Sequence, residues 1–128
     1  AVFMSRAIHN QPIEIWGDGS VVRDYIYIAD VVDALLKAAY YRGNQHLFNI
    51  GSGQGKSLNQ ILDAIELLTQ RPVARTYLPG RTFDVPANVL DITHAKEHLS
   101  WSPKVSFDDG LEPTFWWLSE PLKAMNDR

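Results

Sequence analysis

Apolar and polar positions in the first third of the chain alternate in a way that predicts strand, turn, strand and helix. Residues 12–16 (PIEIW) show the two-residue period of a strand, and residues 17–19 (GDG) then turn the chain. The strand period resumes in residues 24–28 (DYIYI). Asp30 is placed to cap a helix over residues 31–42, because an aspartate oxygen can accept from the first free backbone N–H groups. Residues 2–9 form a further possible helix.

The middle of the chain predicts a strand, a helix and a second strand. Residues 46–50 (HLFNI) are typical of a short buried strand. Ser57 and Gln60 have the spacing of a capping box, which starts a helix that reaches about Thr69. Residues 73–78 (VARTYL) are a second strand, and the three elements together predict a parallel βαβ crossover.

Two helices complete the predicted α/β fold. Thr93 is expected to cap a short helix, and Ser106 with Asp109 is expected to open the last one. Trp101, Trp116 and Trp117 are expected to pack the last helix onto the rest of the chain. With short connections and no repeat, residues 1–128 are predicted to form a single domain.

Charge and composition narrow the classes of function. The net charge is −3 and neither sign is gathered in blocks, so a nucleic-acid partner is not expected. No apolar run approaches the roughly 20 residues that span a bilayer, and the first residues lack the pattern of a secretory signal, so we expect a soluble, cytoplasmic protein with no membrane partner. The chain has no cysteine, which excludes disulfides and thiolate ligands.

Two motifs resemble known binding sites but do not fit them. His94 and His98 have helical spacing, yet a metal site usually needs three or more protein ligands, so no metal site is predicted. Residues 51–55 (GSGQG) suggest a phosphate loop, but a P-loop would need glycine at Ile50, and a dinucleotide fingerprint would need glycine at Lys56. A tight turn before a capped helix is the simpler interpretation.

Two arginines follow turns at the ends of strands, where α/β folds bind ligands. Arg23 comes just after the first glycine turn and Arg81 follows the sequence LPG. Two guanidinium groups could clamp one diphosphate, although solvent-exposed arginines after turns are also common. Asp84 could accept from a sugar hydroxyl or pair with a cation, and Trp16 could stack on a planar ring or pack in the core.

Three motifs, in order, resemble one known family. These are PIEIWGDGSVVRDYIYIADVVDALLKA, FNIGSGQGKSLNQIL and NVLDITHAKEHLSWSPKVSFDDGLEPTFWWL. They are similar to the G-D-G turn with its R-D-[YF] pair, the N-[IV]-G-[ST]-G strand and the closing D-[IV]-[ST] stretch of extended short-chain dehydrogenase/reductases that act on nucleotide sugars, the NAD-dependent epimerases and dehydratases of the UDP-glucose 4-epimerase type. The resemblance covers almost the whole chain and implies the C-terminal, substrate-binding part of a Rossmann-type enzyme.

The resemblance also implies roles for five residues. Trp16 and Gly17 would lie beside the nucleotide base, Arg23 and Arg81 would hold the diphosphate, and Asp84 would reach a ribose hydroxyl. Two positions differ from the family pattern, since Phe83 stands in place of the glycine of R-x-G-D and Ser100 in place of a usual glycine.

The family's G-x-x-G-x-x-G fold and its Y-x-x-x-K catalytic pair do not occur in this sequence. The resemblance therefore implies no catalytic and no cofactor-binding residue here. NAD would be bound mainly by an N-terminal domain of a longer parent, which would be a homodimer, and this piece would be inactive alone and prone to associate. The leading hypothesis is binding of a nucleotide sugar, preferably a UDP-sugar. The alternatives are a nucleotide-sugar decarboxylase or reductase of the same family, and a non-catalytic interaction module.

Overall fold

The computed structural model describes the backbone of residues 1–126 and the side chains of residues 1–120. The protein is mixed α/β, as the sequence predicted. Its elements, in chain order, are α1 (Val2–Ile8), β1 (Ile13–Trp16), β2 (Val22–Asp24), α2 (Ile28–Tyr40), β3 (Gly55–Ser57), α3 (Leu58–Thr69), β4 (Arg75–Leu78), β5 (Ala87–Asn88), α4 (Thr93–Leu99) and α5 (Phe107–Asn126). They form two compact units.

The first unit contains residues 1–21, residues 57–84 and the chain from residue 108. Its sheet is the parallel pair β1 and β4, in which Ile13 faces Arg75 and Trp16 faces Leu78. Every second residue of β1 is buried, which is the strand period that the sequence shows. The capping box of α3 is present, because the Ser57 Oγ accepts from the backbone N–H of Gln60 at 3.2 Å and the Gln60 Oε1 accepts from that of Ser57 at 2.8 Å.

The second unit contains residues 22–56 and 85–107. Its strands are ordered β3-β2-β5, and β2 and β5 run parallel. The Trp101 side chain is fully buried, and its Nε1 donates to the backbone oxygen of Asp30 at 3.0 Å. Its buried core surrounds Trp101 and consists of Ala34 from α2, Ile92 just before α4, and Ala95 and Leu99 from α4.

The boundary between the second strand and the following helix was predicted wrongly. The strand is Val22–Asp24 rather than residues 24–28, and the helix begins at Ile28. Asp30 is not the cap, because it lies inside the first turn, where it is buried and its Oδ2 accepts from the backbone N–H of Val105 at 3.0 Å. A tertiary contact therefore uses the carboxylate that local sequence rules assign to capping.

Two further local predictions are also wrong. Within the described part of the chain, residues 46–50 pair with no strand, and the parallel partner of β4 is β1. An apolar run predicts burial, but a strand also needs a hydrogen-bonded neighbouring strand, and the apolar pattern does not indicate whether one is present. Thr93 does not cap α4, because the N-cap position is Ile92, which makes no side-chain cap bond; the Asp91 carboxylate before it accepts from the Thr93 backbone N–H at 2.9 Å.

The last helix differs from expectation in its tryptophans. Leu111, Phe115 and Leu118 are partly buried, as their spacing predicts. Trp116 and Trp117 are instead 49% and 68% exposed. Helical positions advance by about 100° per residue, so Trp116 and Trp117 both point away from the stripe of Leu111, Phe115 and Leu118. No helix within residues 1–126 is long and apolar enough to cross a membrane.

Candidate functional site

The carboxyl ends of β1 and β4 bring two loops of the first unit into contact. The backbone N–H of Gly17 donates to the oxygen of Leu78 at 2.9 Å, so the ladder continues one residue past Trp16. Gly17 has a φ of +84°, and a Cβ added to it would lie 3.7 Å from the Cα of Gly80. The left-handed backbone conformation favours glycine at this position. The two loops follow neighbouring parallel strands, the place where α/β folds bind ligands.

Arg81 and Trp16 meet at this edge of the sheet. The guanidinium carbon of Arg81 lies 4.2 Å from the centroid of the Trp16 ring. Both side chains are exposed, the tryptophan by 42%. A guanidinium over an indole ring is attracted by the negative charge of the ring face, and the N–H groups of a stacked guanidinium still point outward in its plane. No hydrogen bond from the Arg81 guanidinium is described within residues 1–120, so the pair presents an aromatic surface and hydrogen-bond donors at one place.

Asp84 lies on the same loop as Arg81. Its backbone N–H donates to the Arg81 oxygen at 3.2 Å, which closes a turn over residues 81–84. Phe83, which replaces the family glycine, does not have a positive φ and its side chain is 77% exposed. This turn therefore has no conformational need for glycine at position 83, and the Arg81 to Asp84 spacing is kept.

The turn after β1 is fixed by residues to which sequence reasoning gave no role. Asn59 donates from its Nδ2 to the Asp18 backbone oxygen at 2.9 Å, and it accepts from the Tyr77 hydroxyl on Oδ1 at 2.9 Å. Within the turn, the Asp18 carboxylate accepts from the hydroxyl and the backbone N–H of Ser20, which hold the pKa of Asp18 below its usual value. Asn59 stands between the two capping-box residues, so no motif singles it out.

Arg23 belongs to the second unit and lies on β2. Its Nη1 donates to the backbone oxygens of Val22 at 2.7 Å and Val85 at 2.8 Å. The structure thus groups Trp16, Gly17, Arg81 and Asp84 in one unit and assigns Arg23 to the other.

The neighbouring Asp24 carboxylate fills the glycine-rich loop of the second unit. It accepts from the backbone N–H of Ser52 at 2.7 Å, of Gly53 at 3.0 Å and of Leu90 at 3.2 Å, and from the Ser52 hydroxyl at 2.5 Å. A Cβ at Gly51 would lie 2.6 Å from Asp24 Oδ2, so glycine is needed for this approach. Burial raises the pKa of Asp24, but the hydrogen bonds outweigh burial and the pKa is lowered overall.

This arrangement decides what residues 51–55 do. Backbone N–H groups that could cradle a phosphate already donate to a carboxylate of the same chain. A second anion at these amides would have to displace the negative charge of Asp24. The loop is therefore a structural turn, in agreement with its mismatch to both phosphate-binding fingerprints.

The second unit also contains a cavity of about 240 Å³ next to this loop. Tyr25 and Lys56 line it, and the Lys56 Nζ lies 5.5 Å from the centroid of the Phe107 ring. Burial raises the pKa of the Tyr25 hydroxyl, and the charge of Arg23 acts in the opposite direction. The hydroxyl therefore stays protonated at neutral pH.

Known proteins resemble this chain over most of its length. The profile of the NAD dependent epimerase/dehydratase family matches residues 1–51. UDP-glucuronate 4-epimerase of Thermodesulfobacterium geofontis is 33% identical, in a match that covers 96% of this chain and 38% of that protein. The dTDP-4-dehydro-6-deoxyglucose reductase of Escherichia coli is 36% identical over 87% of this chain and 35% of its own length.

A solved structure has the same fold. UDP-glucose 4-epimerase from Thermotoga maritima, determined with UDP-glucose, has a TM-score of 0.85 and 40% identity, and the match covers 94% of this chain and 39% of that one. The chain thus spans well under half the length of the proteins that it matches. Three family motifs in order, the shared α/β fold and the family profile agree, and the chain belongs to the NAD-dependent epimerase/dehydratase family.

Proposed function

We propose that this chain is the substrate-binding part of a longer NAD-dependent enzyme and that it binds a nucleotide sugar, preferably a UDP-sugar. The observation that carries the proposal is the Trp16–Arg81 pair at the carboxyl ends of two paired parallel strands, with Asp84 on the same turn. The aromatic ring suits the base of a nucleotide, the cation suits the diphosphate, and the carboxylate suits the ribose hydroxyls.

Each residue has a chemical reason for its proposed role. The exposed Trp16 ring offers a face to the nucleobase, and Gly17 lets the ligand approach the backbone closely. Arg81 donates to phosphate oxygens from the edge of its guanidinium while its face stays on Trp16. Asp84 accepts from a ribose hydroxyl. For Arg23, in the second unit, the phosphate contact is proposed from the family resemblance, and the bonds described for it use only Nη1.

Binding energy from the nucleotide would orient the sugar for reaction in the parent enzyme. Contacts far from the reacting carbon fix the geometry of the reacting groups, which lowers the barrier. The present residues do not fit NAD, because the glycine-rich loop is occupied by Asp24 and the sequence has no Y-x-x-x-K pair. We therefore assign NAD binding and hydride transfer to the rest of the parent, and we expect this chain to be inactive by itself.

The type of reaction stays open within this proposal. A 4-epimerase parent is our preference, because relatives with that name match at 33% and 40% identity. A reductase parent is the alternative that the Escherichia coli relative favours, and that relative is named for a dTDP-sugar. Titration with UDP and with dTDP distinguishes the two parents by the base that the chain prefers.

The experiment is a calorimetric titration of the chain with UDP, dTDP and GDP. We expect UDP to bind and Arg81→Ala to weaken binding by about 1.5–3 kcal/mol, the usual value of a charged hydrogen bond. Arg81→Lys should bind UDP more tightly than Arg81→Ala but more weakly than the unaltered chain, because an ammonium group cannot form a bidentate contact.

The matched control is Arg42→Ala. The guanidinium of Arg42 is exposed, and its described bonds are local, to the backbone oxygens of Ala39 and Tyr41. Equal losses in Arg81→Ala and Arg42→Ala would mean that net charge attracts the nucleotide and would contradict the proposed site. Binding of a protein partner that survives Arg81→Ala and Arg23→Ala, without nucleotide binding, would favour an interaction module.

A further inference from the structure

The first turn of α3 holds the turn that follows Trp16. The backbone N–H of Asn59 donates to the oxygen of Gly19 at 3.1 Å, and that of Leu58 donates to Val21 at 3.3 Å. The Asn59 side chain adds the bond to the Asp18 oxygen at 2.9 Å. The first N–H groups of a helix have no partner within the helix, so they are available to bind a neighbouring turn.

The shapes of the turn and of Asn59 depend on each other. Gly19 is buried and has a φ of +77°, and a Cβ on it would lie 2.3 Å from Asn59 Oδ1. The asparagine thus occupies the space beside a glycine that has no side chain to clash with it. Any other residue at position 19 would displace the Asn59 amide and would be strained by the positive φ.

Asn59 also connects the turn to β4. Its Oδ1 accepts from the Tyr77 hydroxyl at 2.9 Å, and Tyr77 faces Ile15 in the strand register. Trp16 therefore lies between two residues that are held in place. Ile15 is paired with Tyr77 in the strand ladder, and the backbone oxygen of Asp18 accepts from Asn59. The strand that carries Tyr77 leads directly into the loop of Arg81.

We infer that Asn59 is a positioning residue, which acts through the turn after β1 and through Tyr77 to keep the Trp16 ring and the Arg81 loop arranged for nucleotide binding. The role in binding rests on the proposed function. The positioning itself is a property of the chain without ligand, so the two can be tested separately.

The test compares Asn59→Ala, Tyr77→Phe and the double variant, each with and without Trp16→Phe. Subtracting the paired spectra isolates the fluorescence of Trp16 from that of the other tryptophans. In Asn59→Ala we expect a shifted and more easily quenched Trp16 signal, and UDP affinity lower by about tenfold. Tyr77→Phe should shift the Trp16 signal in the same direction and weaken UDP binding by about threefold, the value of one neutral hydrogen bond. The double variant should weaken UDP binding by less than the product of the two single effects, because both residues take part in the Asn59–Tyr77 bond.

Asn49→Ala is the matched control, because the Asn49 Nδ2 donates to the backbone oxygen of Asp91 at 3.1 Å in the second unit. It should lose comparable stability in thermal unfolding without changing the Trp16 signal or UDP affinity. An unchanged Trp16 signal in folded Asn59→Ala, or the same shift in Asn49→Ala, would overturn the inference. If the unaltered chain binds no nucleotide, the proposed function fails, and the fluorescence comparison still decides whether Asn59 positions Trp16.

Discussion

Two glycine turns in this chain have opposite structures. The turn after β1 follows Trp16 and lies against the loop of Arg81, where the exposed Trp16 and Arg81 side chains stack on each other. The turn in residues 51–55 points its amides at Asp24, so its bonding capacity is used inside the chain. The second turn has the sequence that more closely resembles a phosphate-binding loop. Glycine permits a backbone shape, but the neighbouring side chains decide whether that shape is open to a ligand.

The largest effect is expected from Asp24→Asn, which removes the negative charge from the closed turn. The amide of asparagine has one oxygen in place of two, and its NH₂ would face backbone N–H groups that also donate. We expect the free energy of unfolding to fall by about 2–3 kcal/mol, measured by urea denaturation. Asp91→Asn is the control, because that exposed carboxylate bonds only to Thr93 and the loss should be smaller. Equal losses would mean that the closed turn is not held by its carboxylate.

Trp16→Ala tests the open turn. Base stacking on an aromatic side chain contributes about 1–3 kcal/mol in nucleic-acid complexes, so UDP affinity should fall by a comparable amount in calorimetry. The thermal midpoint should change little, because Trp16 is exposed. Trp117→Ala removes an even more exposed tryptophan from α5 and should leave UDP affinity unchanged. A large loss of stability in Trp16→Ala would show that the ring is a packing residue.

The pH dependence of stability gives a third comparison. The pKa of Asp24 is lowered by folding, so its stabilising contribution is complete above the unfolded value of about 3.9 and is lost as the pH falls through the folded value. The difference in stability between the unaltered chain and Asp24→Asn should therefore be constant near neutral pH and shrink below about pH 4. Denaturation curves between pH 7 and pH 3 measure it. A difference that is as large at pH 3 as at pH 7 would exclude the charge as its source.

The smallest effect is expected from Ser100→Gly. Ser100 caps α4 with a φ of 47°, the left-handed conformation for which the family uses glycine. Glycine should stabilise the chain by roughly 0.5–1 kcal/mol, because it adopts this conformation without steric strain. Ser102→Gly is the control, since Ser102 has no positive φ and should gain nothing. Chemical denaturation distinguishes the two.

Local sequence rules predicted the parts of the fold that depend on neighbours along the chain. The β1 period and the capping box of α3 are both present, because a strand face and a helix cap are set within a few residues. The same rules failed at Asp30 and at residues 46–50, where a distant N–H group and a missing strand partner decide the outcome. At the candidate site, motifs singled out Trp16 and Arg81 but not Asn59. The bonding partners of Asn59 are Tyr77, 18 positions later in the chain, and Asp18, 41 positions earlier.

The sequence by itself determined the family and the α/β class, and it singled out the candidate site residues, because motif order and periodicity are properties of the chain alone. Only the tertiary structure decided which of those residues meet. It stacked Arg81 on Trp16, although they are far apart in sequence, and it filled the phosphate-like loop with Asp24. The physical reason is that hydrogen bonds and ring contacts act over a few ångströms in space, so a donor's partner is known only when the chain has folded.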